Sequence, residues 1–140
     1  IYHTLAPLPA ATPAGEIYRG TYEKPAWYVF WRDTSATYTL GVGHSAYCFS
    51  AVFAPGDLST PVVHRWEKYN IETKGWETNS LVTFSINGGR ENGYRGWSRK
   101  EALVAGEWRC DVETGRGQLI GRISFTVLDG PTPVLSTIAL

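Results

Sequence analysis

Apolar and polar residues alternate with period two along much of this chain. In Glu107 to Glu113, Trp108, Cys110 and Val112 fall on one face and Glu107, Arg109, Asp111 and Glu113 on the other. That pattern predicts a half-buried strand with one solvated face. Leu119 to Val127 repeats it, with Leu119, Ile123, Phe125 and Val127 inward and Arg122, Ser124 and Thr126 outward. Thr114-Gly115-Arg116-Gly117 between them has hairpin length, and its glycines accept positive φ. Upstream, Val82, Phe84 and Ile86 alternate with Leu81, Thr83 and Ser85 up to the turn Asn87-Gly88-Gly89. Val62 to Tyr69 reads as a strand with Val62, His64 and Trp66 on one face. Ala26 to Arg32, Ala36 to Val42 and Tyr47 to Ala54 are apolar on both faces, as inner strands of a sandwich are. Ile17 to Tyr22 offers a weaker strand.

No stretch repeats apolar residues at helical spacing over three turns. Ser98 to Ala105 is the one short helix candidate, with Ser98 as cap and Glu101 at the capping-box position. About seven to nine strands with turn signals between them predict an all-β fold with little or no helix, an immunoglobulin-like antiparallel β-sandwich. The sandwich domain is expected over residues 16–128. Residues 1–15, rich in Ala and Pro, read as a linker or tail, and residues 129–140 as a C-terminal tail. A chain of 140 residues is long enough to bury one core.

Charge changes little in this picture. Thirteen Lys and Arg balance thirteen Asp and Glu, so no global field favours nucleic acid or an anionic membrane. The local cluster Arg90, Arg95, Arg99 and Lys100 reads as a solvated loop. No apolar run reaches the roughly 18–20 residues that span a bilayer, and there is no signal-sequence pattern. A start at Ile1 and the absence of Met read as a processed piece of something longer.

Cys48 and Cys110 lie 62 positions apart on predicted strands, with Trp66 between them. A Cys, a packed Trp and a second Cys on a later strand is an immunoglobulin pattern. A bridge would imply an oxidising compartment. Two buried free thiols acting as small hydrophobes satisfy the same sequence.

The runs VVHRWEKYN, GGRENGYRGWSRK and GEWRCDVETGRGQLIGRISFTV, in that order over Val62 to Val127, resemble the DUF2914 family of bacterial domains of unknown function. The shared pattern is a His-x-Trp strand, an aromatic-Arg-x-Trp-Ser segment, a Gly-x-Trp-Arg strand and a closing strand with Gly-x-Leu-x-Gly and Phe-x-Val. The segment Tyr47 to Leu58 and the GQLIGR detail are most similar to a subgroup at the C-terminal end of multi-spanning membrane proteins, after a region called DUF5924. The resemblance implies an extracytoplasmic (periplasmic or cell-surface) domain whose parent chain, not this segment, is anchored in the membrane. It implies no catalytic residue, because the family has no assigned activity. The family pattern typically carries Val where this chain has Cys110, which weakens the disulfide reading.

Candidate chemistry is sparse. The histidines are His3, His44 and His64. No HExxH or CxxC is present, so no metal site and no cofactor is predicted. His64 reads as a core or edge histidine bonded to a neighbour. Gly43-His44-Ser45-Ala46 lacks the final Gly and the helix of a nucleophile elbow. Gly88 to Gly93 lacks the Lys-Ser/Thr of a phosphate loop. Glu67, Glu72, Glu77, Glu91 and Glu101 supply carboxylates with no spacing that marks a glycosidase pair.

What remains is aromatic. Trp76 in a polar loop, and Tyr94, Arg95 and Trp97 in a glycine-rich one, are the candidate ligand-binding residues. Flat rings beside Arg and carboxylates can stack on a sugar or grip a peptide. Their bland alternative is that Tyr94 and Trp97 plug the end of the sandwich. The expected function is a non-catalytic binding or interaction module of a bacterial envelope protein, taking a glycan, a peptide or an envelope protein partner. The alternatives are an assembly domain pairing through β edges and, behind it, a hydrolase.

Overall fold

Ten strands and no helix occur among the described residues of the computed structural model, which are 1–2, 4–7, 18–23, 37–40, 45–52, 59–87, 94–130 and 135–139. In chain order they are β1 (Thr4–Pro7), β2 (Tyr18–Glu23), β3 (Thr37–Thr39), β4 (Ala46–Val52), β5 (Ser59–Asn70), β6 (Gly75–Asn87), β7 (Tyr94–Lys100), β8 (Gly106–Thr114), β9 (Leu119–Leu128) and β10 (Leu135–Ala139). The fold is all-β, as the alternation predicts. The expected strand Ala26–Arg32 lies outside the described residues.

Two compact units divide the chain. The first holds Ile1–Tyr47, Arg99–Gly106 and Phe125–Leu140, the second Cys48–Ser98 and Glu107–Ser124. In the first, β2 pairs antiparallel with both β1 and β10. The two ends of the chain, which read as linker and tail, thus each contribute a strand. β3 pairs in parallel with the end of β9, Tyr38 opposite Val127, and both of these side chains are buried. This parallel pair departs from the expected antiparallel arrangement.

The second unit is a sandwich. One layer runs β9-β8-β5-β6 and the other pairs β4 with β7. Between the layers lie the fully buried Cys48, Val62, His64, Trp66, Trp108 and Cys110. The ladder puts Trp66 opposite Cys110 and His64 opposite Val112, so the period-two faces read from sequence coincide on the inside. Phe84 packs on the cluster of Val52, Val62 and Val112. A Cβ on Gly96 of β7 would land on the Phe84 ring, so this strand approaches β6 only because residue 96 lacks a side chain.

A disulfide joins Cys48 of β4 to Cys110 of β8, tying one layer to the other. With Trp66 buried on β5 beside it, this is the immunoglobulin arrangement of two cysteines and a tryptophan. The β8–β9 hairpin closes with Thr114 N–H donating to Gln118 O at 2.8 Å, and its Gly117 sits at φ 87°.

Two local expectations change. Ser98 is not a helix cap. It is buried in β7, where its hydroxyl meets His64 and Trp66, and that tertiary contact overrides the capping signal. Leu119, expected inward, is 52% exposed because the strand begins at the mouth of the hairpin.

The disulfide closes a loop of 62 positions, for which chain entropy gives a contribution of about 4 kcal/mol. The Cys48→Ala/Cys110→Ala double variant should lose roughly that much in urea unfolding, and the native protein should show no thiol on alkylation and mass spectrometry. An unchanged urea midpoint, or two alkylated thiols, would contradict the assignment.

Candidate functional site

Among the described residues, His64 is the one titratable side chain in the fully buried centre of the second unit. Its ring nitrogens meet two hydroxyls, Nε2 with Ser50 Oγ at 2.8 Å and Nδ1 with Ser98 Oγ at 2.8 Å. Trp66 Nε1, which can only donate, gives its proton to Ser98 Oγ at 3.0 Å. Every buried group is satisfied if Ser98 then donates its own proton to His64 Nδ1 and His64 Nε2–H donates to Ser50 Oγ. Burial lowers the His64 pKa to about 4, so the ring is neutral at pH 7. One of its ring nitrogens and the sulfurs of Cys48 and Cys110 lie within 4.8 Å of one another. The disulfide occupies both sulfurs and the serines hold both nitrogens, so in this state the cluster offers no free ligand to a metal.

The outward face of β5 and β8 carries a second polar layer. Arg65 Nε donates to Glu113 Oε2 at 2.6 Å. Arg109 holds Glu67 through two bonds of 3.1 and 3.2 Å, and Arg122 holds Asp111 through two of 2.6 and 2.9 Å. Periodicity assigns Asp111 and Glu113 to a solvated face, yet they are buried, as is Glu67. The arginine side chains lie over them and pair with them, which is how a carboxylate tolerates burial. Burial alone would raise the Asp111 carboxyl, but the hydrogen bonds and charge of Arg122, with the charge of Arg109, outweigh it and hold it below the usual aspartate range.

Among the aromatic and arginine candidates, the structure sets Trp76 apart from Trp97. Trp76 is a strand residue of β6 and not part of a loop. It stands opposite Tyr69, with Arg109 Cζ 4.3 Å above its ring and the Tyr69 ring edge-on at 5.3 Å. It therefore completes the charged outer layer. Tyr94, Arg95 and Trp97 belong to β7, also a strand and not a turn. The side chains of Tyr94 and Arg95 lie outside the described residues. Trp97 is 45% exposed; its neighbour Ser98 faces the core, so Trp97 faces outward from the β4–β7 layer. Trp76 and Trp97 thus sit on opposite outer faces of the second unit.

Residues 59–127 match the family model described as "Protein of unknown function (DUF2914)". This part of the chain belongs to the DUF2914 family. No curated relative matches the chain. Among solved structures, the chain is similar to the NK cell receptor Nkp44, described as a triggering partner in natural cytotoxicity, at 10% identity and a TM-score of 0.47, over 70% of this chain and all of that one. A likeness so distant carries no functional weight.

The DUF2914 segment contains the ion-pair layer and, of the buried system, His64, Trp66 and Ser98, while Ser50 lies before it; each system serves the fold. Sequence reading found His64 and the two cysteines but not the serines that hold the ring, since Ser50 and Ser98 are 14 and 34 positions from it. It also missed the ion-pair layer. The signal was there, in alternating charges at Arg65, Glu67, Arg109, Asp111 and Glu113, but only the strand register says which charge meets which.

A shallow recess at the β5–β6 tip is lined by Lys68, Tyr69, Asn70, Ile71, Glu72 and Glu77. Asn70 shapes this turn, its Oδ1 accepting Glu72 N–H at 2.9 Å and its Nδ2 donating to Glu77 Oε1 at 2.9 Å. Lys74 takes φ 56°, and Ile71 is 80% exposed at the apex. It is an open surface, without a converging set of reactive groups.

His64 titrates near 6.5 when unfolded and near 4 when folded, so the unfolded state binds more protons between these values. Stability from this group is complete above pH 6.5 and falls as pH drops toward 4, by about 3 kcal/mol in total. Urea unfolding from pH 7 to pH 4 should show that decline in the wild type. His64→Asn should be less stable at pH 7 and have a flatter profile across this window. A wild-type profile flat between pH 6.5 and 4.5 would contradict the neutral buried ring.

Proposed function

We propose that this chain is a non-catalytic binding or interaction module of a bacterial envelope protein, working outside the cytoplasm, with Trp97 at the centre of its ligand surface. The observation that carries the reading is the exposure of the Trp97 indole on the outer side of β7. His64 is enclosed by serines and Asp111 is held by arginines. Trp97, the largest side chain type, instead remains nearly half exposed on a strand whose other face is locked into the core.

An indole on a rigid strand offers flat apolar area with little entropy left to lose, which suits stacking on a sugar ring or a peptide side chain. The disulfide supports an oxidising compartment. Anchoring through the parent chain follows from the resemblance to domains that end multi-spanning membrane proteins. No helix of the described residues is itself long and apolar enough to cross a membrane.

Trp97→Ala should abolish binding on a glycan or peptide array while moving the melting temperature by no more than a few degrees. A variant that melts far lower would identify Trp97 as a structural residue. Retained binding would move the ligand surface elsewhere.

A further inference from the structure

Cys48, His64 and Cys110 come from three strands, β4, β5 and β8, and from both layers of the second unit. The β5–β8 register sets His64 opposite Val112 and Trp66 opposite Cys110, so His64 and Cys110 are diagonal neighbours on the inner face. Cys48 reaches them from the other layer, its Cα 6.7 Å from that of Cys110. One ring nitrogen and two sulfurs therefore lie within 4.8 Å of one another, and all three residues are fully buried. An imidazole beside two sulfurs is the donor set that thiophilic metal ions select.

We propose that the Cys48–Cys110 disulfide masks a zinc site, and that its reduction creates a centre of Cys48 Sγ, Cys110 Sγ and a ring nitrogen of His64. The reductant is a dithiol. Its two electrons break the S–S bond, its two protons pass to the sulfurs of Cys48 and Cys110, and it leaves as a disulfide of its own. Zinc then binds as the dication, and both thiol protons go to solvent.

Geometry and charge both suit this ion. Sulfurs held at about 2.3 Å on one tetrahedral zinc stand about 3.8 Å apart, so they need only part to that distance once their bond is gone. Two thiolates and a dication sum to zero, whereas a monovalent ion would leave a net negative charge in the core. Each ring nitrogen of His64 meets a serine hydroxyl at 2.8 Å. When one nitrogen takes the ion, the other donates its N–H to its own serine, the kind of partner that orients a metal-bound imidazole. The serine released stands beside the ion with an oxygen for the fourth position. The centre lies on the inner face of the layers and Trp97 on an outer one, so either reading holds without the other.

The full chain, reduced with a phosphine that becomes its oxide, is titrated with cobalt(II) as a spectroscopic stand-in for zinc. The folded, reduced protein should take up one equivalent with a thiolate-to-cobalt charge-transfer band, and zinc should displace it. The oxidised protein and Cys48→Ala/Cys110→Ala should show no such band. His64→Asn should bind zinc at least about tenfold more weakly. X-ray absorption of the zinc-loaded wild type should find two sulfurs and a histidine nitrogen, which decides the ligand set should His64→Asn not fold. A cobalt spectrum without thiolate bands, a zinc shell of nitrogen and oxygen alone, or equally tight binding by the reduced chain in urea would overturn the proposal. So would a reduced chain that stays unfolded with zinc present.

Discussion

The antiparallel ladder between β5 and β8 is the constraint from which the rest of the second unit follows. It places Trp66 opposite Cys110 on one side of the sheet and Glu67 opposite Arg109 on the other. The inner side becomes the core, closed by the disulfide to β4; the outer side becomes a layer of ion pairs. A slip of one residue would turn charges into the core and tryptophans into solvent, and would break both layers together. Register is thus specified twice, by apolar burial and by charge complementarity. Buried ion pairs add little net stability against well-packed apolar residues, but a misplaced one is costly. Their contribution here is to penalise the wrong pairing.

The same economy governs the polar groups inside. A neutral histidine between two serine hydroxyls, with a tryptophan N–H on one of them, is a closed hydrogen-bond chain. It costs little because each donor finds an acceptor. A reactive histidine needs the opposite arrangement, with a nitrogen turned toward open space and a carboxylate or nucleophile behind it. His64 links the two layers through Ser50 and Ser98, and the paired acids tie β5, β8 and β9 together on the outer face.

Some of this was legible from sequence because it depends on local pattern. The all-β class, the positions of β5, β8 and β9 and the inward side of each followed from alternation, and segment 59–127 carried its family signature in residue order. Other features were not local. YRGWSRK looks like a loop because its glycine and charges interrupt the apolar pattern, yet Gly96 is there to admit Phe84 and Ser98 to meet His64. Trp76 looks like a loop residue because Gly75 precedes it; stacking under Arg109 makes it part of a sheet. The ends of the chain look like tails because Ala and Pro dilute them, but backbone pairing to β2 needs no particular side chain.

The sequence alone determined which residues alternate, and with that the class of fold and the inner faces of its main strands, because side-chain direction in a strand is a property of the backbone itself. Only tertiary structure decided which strands become neighbours. That choice joined Cys48 to Cys110, enclosed His64 between Ser50 and Ser98, buried Asp111 and Glu113 beneath arginines, and parted Trp76 from Trp97. Each of these is a contact between residues distant in the chain, and its energy depends on register and layer order, which no local window contains.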